Sequence, residues 1–486
     1  MAQMILALLL AVPLTGMLSV LVAHHFPRLR VRINLAVALI TLVPAVLLST
    51  TGPQILHYAV GGWRPPFGIE LRADTLSRIM ILATALVFAA AALYEAGLEL
   101  AGTQKPGKLT YHITFPLLQL ALNGLFLTHD FFNFYVFFEL AAVSSYLLVA
   151  MGKHHQLEAA WKYAAQSILG SAALVSAVAF IYGITGTLNM SDAAARMGTP
   201  VLWLTPFVLV AFLMKGSLFP FHLWQPDAYA AATTAGSAIL AGSLANIGLY
   251  GFLRFWPLLF GTHLSTVLLW LGAASIVFGA VGAFRQDDAK RLLGLSSTSQ
   301  LGFVLVGIGW ATDASFTAAI VFLFHHSISK ALLFLGTGTL ADRFESTRFE
   351  ALAGSGAQAG GLKAAVLLGF VSLIGLPPAL GFYGKLGLLS AGIQIGSWPF
   401  IGTIAAGTLM TLVYAARAYQ LLFWSYRPRP DADRQLNVSR LGYAGIGFLC
   451  LVVLAAGLYG RPIWLMSGQA ARDARTAPLL WEEGSP

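Results

Sequence analysis

The feature that most limits how this chain can fold is a succession of apolar segments, each nearly free of charge and about as long as a bilayer-spanning helix. They run at roughly 3–24, 32–50, 74–97, 109–128, 131–151, 161–186 and 201–229, then at roughly 234–257, 264–284, 290–311, 314–340, 362–395, 399–424 and 441–460. Hydrocarbon offers no water to peptide groups, so each segment must satisfy its own backbone, as a helix does. The expectation is an all-α polytopic membrane protein with about 14 transmembrane helices. Only 10% of the 486 residues are charged, against about 25% in a soluble domain. That balance, with a mean hydropathy of +0.75, excludes an ordinary water-soluble enzyme, a disordered chain, collagen and a coiled coil. Met1 to Ala23 lacks a basic leading stretch and reads as the first membrane helix, not as a cleaved signal peptide.

The net charge of +9 does not point to nucleic acid, because the basic residues sit in short loops and form no basic helix interleaved with aromatics. Their distribution gives an orientation instead. Alternate loops carry Arg28, Arg30 and Arg32, then Lys105 and Lys108, Lys153 and Lys162, Arg285, Lys290 and Arg291, Arg343, Arg348 and Lys363, and Arg427, Arg429, Arg434 and Arg440. The other side, with both termini, holds Arg64, Arg72, Arg196, Arg254, Arg461, Arg472 and Arg475. Cytoplasmic loops are the basic ones, so both termini are expected outside the cytoplasm, in a multi-pass protein of the inner (cytoplasmic) cell membrane. Residues 461–486 read as a surface tail. Cys450 has no partner for a disulfide, and a single thiol cannot hold an iron-sulfur cluster or a Cys-based zinc site. Phosphate-loop and dinucleotide fingerprints are missing, so no cofactor and no metal are expected.

Two segments are over-long and interrupted, the seventh by Lys215, Gly216 and Pro220, the twelfth by Gly375, Pro377, Pro378, Gly381 and Gly384. Such breaks persist only where protein or water re-satisfies the freed backbone, and paired broken helices mark inverted-repeat transporters. Kinks made only for packing are the plainer alternative. Within the spans lie Glu139, Lys215, His326, Lys330 and Lys385, each costly there by about 2.5–3.5 kcal/mol on insertion scales. Glu139 stands among aromatic and aliphatic neighbours and needs a cation nearby to stay charged, and Lys215 is the obvious one. A pair of this kind takes up or releases a proton as its separation changes. His326 and Lys330, four residues apart, share a helix face and suit a proton relay, whereas His325 points about 100° away and reads as structural. Each alone has a bland reading as a snorkelling lysine or a core histidine bonded to a carbonyl.

Five stretches together resemble a known family: Phe131 to Glu139, Lys215 to Asp227, Asp288 to Gln300, His326 to Phe334 and Gly375 to Lys385. In this order they are similar to the antiporter-like proton-translocating membrane subunits of respiratory complex I, of membrane-bound hydrogenases and of multi-subunit Mrp cation/proton antiporters. The resemblance implies two inverted five-helix repeats with broken helices 7 and 12, around a hydrated ionisable axis. It implies that Glu139 and Lys215 are the Glu/Lys pair of the first half-channel, Lys330 the central lysine and Lys385 the terminal one. On this basis residues 1–108 are N-terminal helices 1–3, 109–257 and 258–426 the two repeats, and 427–486 the last helix and tail. The length and the lack of a long C-terminal extension set the chain apart from the long complex I type, and Ala164 to Ser167 with Gly183 to Asn189 resemble the D-type Mrp subunits. Two positions depart from the pattern. Thr233 stands where the family usually has proline, and Asn246 where it has the bridging lysine of helix 8. An amide bonds water but carries no proton at neutral pH.

The leading expectation is a proton-translocating subunit of a sodium/proton antiporter, working with other membrane subunits in the lipid bilayer on protons and sodium. The alternatives are a proton-pumping membrane subunit of a redox enzyme, complex I or hydrogenase, which holds no cofactor itself, and a scaffold that only completes a membrane arm. For the orientation, a reporter that works only in the cytoplasm, fused after Pro486, is expected to stay silent. Activity there would reverse the topology.

Overall fold

The computed structural model describes residues 2–52, 55–100, 108–151, 156–197, 201–263, 265–354, 359–425 and 439–475. The chain begins with α1 (Ala2–Val22) and α2 (Pro27–Thr50), followed by a hairpin of β1 (Leu56–Ala59) and β2 (Glu70–Ala73). Then come α3 (Thr75–Leu100), α4 (Leu109–Leu127), α5 (Phe131–Ala150), α6 (Gln156–Thr185), the short α7 (Met190–Met197), α8 (Thr205–Lys215) and α9 (Trp224–Ala231). α10 (Thr234–Ile239) runs through a π turn (Leu240–Leu244) into α11 (Asn246–Phe260). The second half holds α12 (Ser265–Phe284), α13 (Ala289–Gly309), α14 (Asp313–Phe344), the single turn α15 (Phe349–Leu352), α16 (Gly360–Ile374), α17 (Gly381–Ile395), α18 (Trp398–Phe423), α19 (Arg440–Leu458) and α20 (Arg461–Arg475). Of the described residues 83% are helical, and among them 11 helices are long and apolar enough to cross a membrane.

Burial ranks these helices from centre to rim. The spans of α10–α11, α13 and α14 are wholly buried, while those of α1, α18 and α19 are buried over only a third of their length and face the apolar surroundings. Starts are set by side-chain caps, as expected where the first N–H groups have no helical partner. Asp130 accepts from Asn133 N at 2.7 Å, Asp288 from Arg291 N at 2.9 Å, and Thr312 with Ser315 forms a capping box on α14.

Both expected interruptions are present. α8 stops at Lys215, and an irregular stretch joins it to α9; α16 stops at Ile374 before α17 resumes at Gly381. Gly375 closes α16 with a φ of +87°, and its N–H bonds back to Val371 O and Ser372 O. That conformation favours glycine. Beside the first break the fold needs a second glycine: a Cβ on Gly248 of α11 would lie 2.4 Å from both Gly216 N and Phe212 O. Helix α11 thus touches the break at backbone distance.

Three findings differ from the sequence reading. Residues 56–73 add a small antiparallel hairpin, pairing Leu56 with Ala73 and Ala59 with Glu70, to the all-α plan. Residues 461–475 of the expected surface tail form α20, whose Ser467, Ala470 and Ala471 are buried and whose Asp473 accepts from Thr75 Oγ1 at 3.0 Å; the remaining eleven residues of that tail lie outside the described residues. The reason is amphipathicity: the helix is polar on average yet carries one strongly apolar face. Arg72 and Arg254 are not simple loop charges either, since Arg72 is buried and Arg254 pairs with buried Asp74 through both carboxylate oxygens, NH2 to Oδ1 at 2.6 Å. Lys105, Lys153, Arg427, Arg429 and Arg434 lie outside the described residues.

Around the hairpin these charges form one layer. Glu70 receives His57 Nδ1 at 2.6 Å and Asn189 Nδ2 at 3.0 Å. Burial pushes the Glu70 carboxyl up, but the hydrogen bonds from His57 and Asn189 help bring it below the usual range. His129 Nε2 accepts from Arg72 NH1 at 3.2 Å and from Ser191 Oγ at 2.7 Å. Burial, with the Arg72 charge beside it, pushes this imidazole down to about 3. An unfolded histidine takes up its proton near pH 6.5, so between about 6.5 and 3 the unfolded chain binds a proton that the native layer does not, and stability falls as the pH falls. Hydrogen exchange of the hairpin amides, corrected for intrinsic rates, should therefore be faster at pH 4.5 than at pH 7, and His129→Gln should remove the difference. Removing one member of the Asp74–Arg254 pair leaves a buried charge alone, at a cost of about 3–5 kcal/mol. Asp74→Ala and Arg254→Ala should each lower the thermal stability of the purified protein sharply, and the double variant should lose less than the sum.

Candidate functional site

Lys215 is the last residue of α8 and is buried. Its Nζ donates to Tyr163 Oη at 3.3 Å and lies 5.2 Å from the centre of the Phe138 ring, close enough for a cation–π contact. Tyr163 shares a 2.6 Å hydrogen bond with Ser145 Oγ and stacks on Trp224 at 4.0 Å. The indole of Trp224 donates to Met214 O at 3.1 Å, bridging the break from α9 back to α8. Glu139, next to Phe138, is half-buried, and its Oε2 has no hydrogen-bond partner. No ion pair joins Glu139 to Lys215. The carboxylate acts on the lysine through space, with aromatic rings around the ammonium.

His326 and Lys330 lie one turn apart on α14, both fully buried. Lys330 Nζ donates to Leu293 O at 2.9 Å and to Ser296 Oγ, both on α13. Neither ring nitrogen of His326 has a partner. His325 points elsewhere, as its position on the helix requires, and its Nε2 donates to Ser372 O at 2.8 Å. Lys385, on α17 beyond the second break, donates to Leu373 O at 3.1 Å and Ile374 O at 3.0 Å. Those are the last carbonyls of α16, the negative pole of a half-helix, where a cation is favoured. Its ammonium also stands 4.9 Å from the Phe303 ring centre. Gly375 makes room for it, since a Cβ there would come within 2.8 Å of Lys385 Cδ.

Asn246, at the departure in helix 8, follows the π turn after one residue, Ala245. Its Nδ2 donates to Gly242 O at 2.9 Å and to Ser327 Oγ at 2.6 Å, while its buried Oδ1 has no partner. The amide therefore ties α11 to α14 beside His326.

The polar groups between these residues are the part the sequence reading missed. Gln225 Nε2 donates to Tyr229 Oη at 2.9 Å, and Gln225 Oε1 accepts from Thr298 Oγ1 at 3.1 Å. Gln300 Nε2 reaches Thr411 Oγ1 at 3.1 Å and Tyr414 Oη at 3.2 Å. A signal was available: Ser296 to Gln300 are five consecutive polar residues in an apolar helix, and all five are fully buried. Buried polar atoms need partners, and the unsatisfied ones on His326, Asn246, Ser243 and Ser299 are places for ordered water. Among the described residues no cluster of three or more His, Cys, Asp or Glu is placed to hold a metal ion.

Residues 128–411 match the family described as NADH:quinone oxidoreductase/Mrp antiporter, TM. The chain is 31% identical to the D-type subunit of the Na(+)/H(+) antiporter of Alkalihalophilus pseudofirmus over 484 residues, covering 97% of this chain and 96% of that one. It is 32% identical to the N-type subunit of the NADH-quinone oxidoreductase of Desulforudis audaxviator over 397 residues, covering 79% and 78%. Among solved structures, a chain of the Mrp complex from Dietzia sp. superposes with a TM-score of 0.87 at 25% identity, over 98% of each chain. A chain of respiratory complex I from Thermus thermophilus superposes with 0.83 at 23% identity, over 97% of this chain and 99% of that one, and shares the fold. With its matched core spanning more than half its length and relatives aligned nearly end to end, the chain belongs to the NADH:quinone oxidoreductase/Mrp antiporter transmembrane family.

Proposed function

We propose that this chain is the proton-translocating subunit of a multi-subunit sodium/proton antiporter, assembled with other membrane subunits. The observation that carries the reading is the series Lys215, Lys330 and Lys385: three buried ammonium groups, each solvated by hydroxyls or carbonyls and none by a carboxylate. An unpaired buried charge is costly, so groups held in this way are suited to exchange protons with a neighbour or a water. Glu139 sets the charge on Lys215, His326 stands next to Lys330, and Lys385 ends the series. The relative from Alkalihalophilus pseudofirmus, named for a Na(+)/H(+) antiporter and similar along almost the whole chain, supports sodium as the coupled ion. The relative named for NADH-quinone oxidoreductase covers less of the chain and supports the redox-driven alternative more weakly.

The architecture fits this role. α4 and the two interrupted helices, α8–α9 and α16–α17, add to the 11 long spans to make fourteen. We divide them into helices 1–3 (residues 1–108), repeats over 109–257 and 258–426, and a last helix with its tail (427–486). In both repeats the interrupted helix is the fourth, which supports the inverted-repeat reading.

Flux measurements on the reconstituted complex test the proposal. Lys215→Ala should reduce sodium-coupled proton flux by about 100-fold or more, as loss of a proton-transfer group does, with the complex still assembled. Lys215→Arg should assemble and also be inactive, because a guanidinium with a pKa above about 12 does not release its proton. Asn246→Lys places an ammonium where the amide now meets Gly242 O and Ser327 Oγ, and should raise the flux or leave it unchanged. Full flux in Lys215→Ala would return the chain to the scaffold reading.

A further inference from the structure

A second group of buried titratable side chains lies well away from the lysine series, where the first turns of α2, the last turn of α3 and the first turn of α4 meet. This is the end of the bundle that carries the basic loops. His112 on α4 is 1% exposed and Glu99 on α3 is 5% exposed. Asn34 Nδ2 of α2 lies 3.1 Å from His112 Nδ1, and His112 Nε2 lies 3.5 Å from Glu99 Oε2. An amide nitrogen can only donate, so Nδ1 accepts and the neutral ring carries its proton on Nε2, which stands near the carboxylate without a hydrogen bond to it. Asn34 Oδ1 and Tyr111 Oη, both buried, have no partner. With Glu95 and His112 they line a small cavity that has room for about one water. Two unpartnered polar atoms on its wall are what an ordered water requires.

We propose that His112 and Glu99 form a proton-loading site, fed through this cavity and separate from the mid-membrane lysines. On uptake, the cavity water, protonated from bulk water, gives up that O–H bond as Nδ1 forms its N–H bond and is left as neutral water. The Asn34 amide turns over so that Oδ1 accepts the new N–H, and Glu99 balances the imidazolium charge. Release breaks the same N–H bond and returns the proton to water, with no other bond changed. Among the described residues, other charged or titratable groups near the site are Arg30, one turn before Asn34 on α2, Glu95 on α3, and Lys108, which caps α4 and whose carbonyl accepts from His112 N. Tyr94, farther along α3, meets Asp342 of α14 at 3.4 Å. α1 carries no titratable side chain, and Tyr146 of α5 packs on Tyr163. The onward direction is given by Tyr111, whose hydroxyl is within the influence of Glu95 and Thr233 without a hydrogen bond to either. Thr233 caps α10 through Gly236 N at 3.1 Å. A proline at that position would offer no hydroxyl.

The protonation of this site does not depend on the antiporter reading; its use in transport does, and two measurements separate them. In the whole protein in lipid nanodiscs with nitrogen-labelled histidine, the signal lost in His112→Gln should pass from neutral to doubly protonated imidazole as the pH is lowered. Glu99→Gln should cut its protonated fraction at pH 6.5 severalfold. A ring that stays neutral throughout, or is indifferent to Glu99→Gln, overturns the site. In the reconstituted complex, His112→Gln should flatten the pH profile of cation-driven proton flux while leaving assembly intact, and an unchanged profile overturns its role. Absence of any cation-driven flux in the unmutated complex would sink the antiporter reading and leave the nanodisc titration to decide the site.

Discussion

The polar interior of this protein is organised by the carbonyls that two broken helices leave unpaired in apolar surroundings. A continuous helix consumes its own backbone groups, and an interrupted one exposes several at its end. At the first break the indole of Trp224 takes Met214 O and Ser275 Oγ accepts from Phe219 N at 3.0 Å. At the second, His325 takes Ser372 O and Lys385 takes Leu373 O and Ile374 O. Side chains that would be intolerable elsewhere in an apolar interior are here the partners the backbone lacks. The same interaction holds the break open and keeps a titratable group at depth, so the fold and the proposed proton chemistry rest on one set of hydrogen bonds.

Long elements and their interruptions were legible in the sequence because each leaves a local signature: an apolar run of bilayer length, or glycine and proline inside one. The five ionisable residues were legible as exceptions within those runs, and all but half-buried Glu139 are fully or almost fully buried. What sequence position could not supply was partnership across the fold. Arg254 reads as a loop charge until Asp74, 180 residues away, is seen against it. Glu139 and Lys215 read as a contact pair, whereas aromatic rings surround the ammonium and the carboxylate acts from farther off. The polar face of α20 suggested a tail, since an average over the segment hides the stripe by which it packs. Residues 56–73 carried no run long enough to register, and their hairpin is held by contacts to Thr128, His129, Asn189 and Ser191.

Both departures from the family pattern fall on one continuous element, α10 to α11. Thr233 begins it as a hydroxyl cap, and Asn246 follows its π turn. A π turn widens a helix by one residue and is often found at functional positions. Here it sets the amide to reach across to Ser327 on α14. A short neutral side chain bonded on both sides holds this junction firmly, where a lysine would bring a long stem and a mobile charge. The junction between the two halves is in this chain a hydrogen-bonded clasp, with an unsatisfied Asn246 Oδ1 and His326 ring at its edge.

The contact between Gly248 and the break has a mechanical side. Side-chain interfaces usually yield by changing rotamers, which spreads a small displacement over many torsions. At Gly248 no side chain stands between α11 and the peptide groups of Phe212 and Gly216, so the two backbones bear on each other without slack. Two residues earlier on α11 lies the Asn246 clasp, and one residue before Gly216 lies Lys215. A sub-ångström slide of α11 driven from α14 would therefore arrive at the ammonium as a displacement of nearly the same size, like the short arm of a stiff lever.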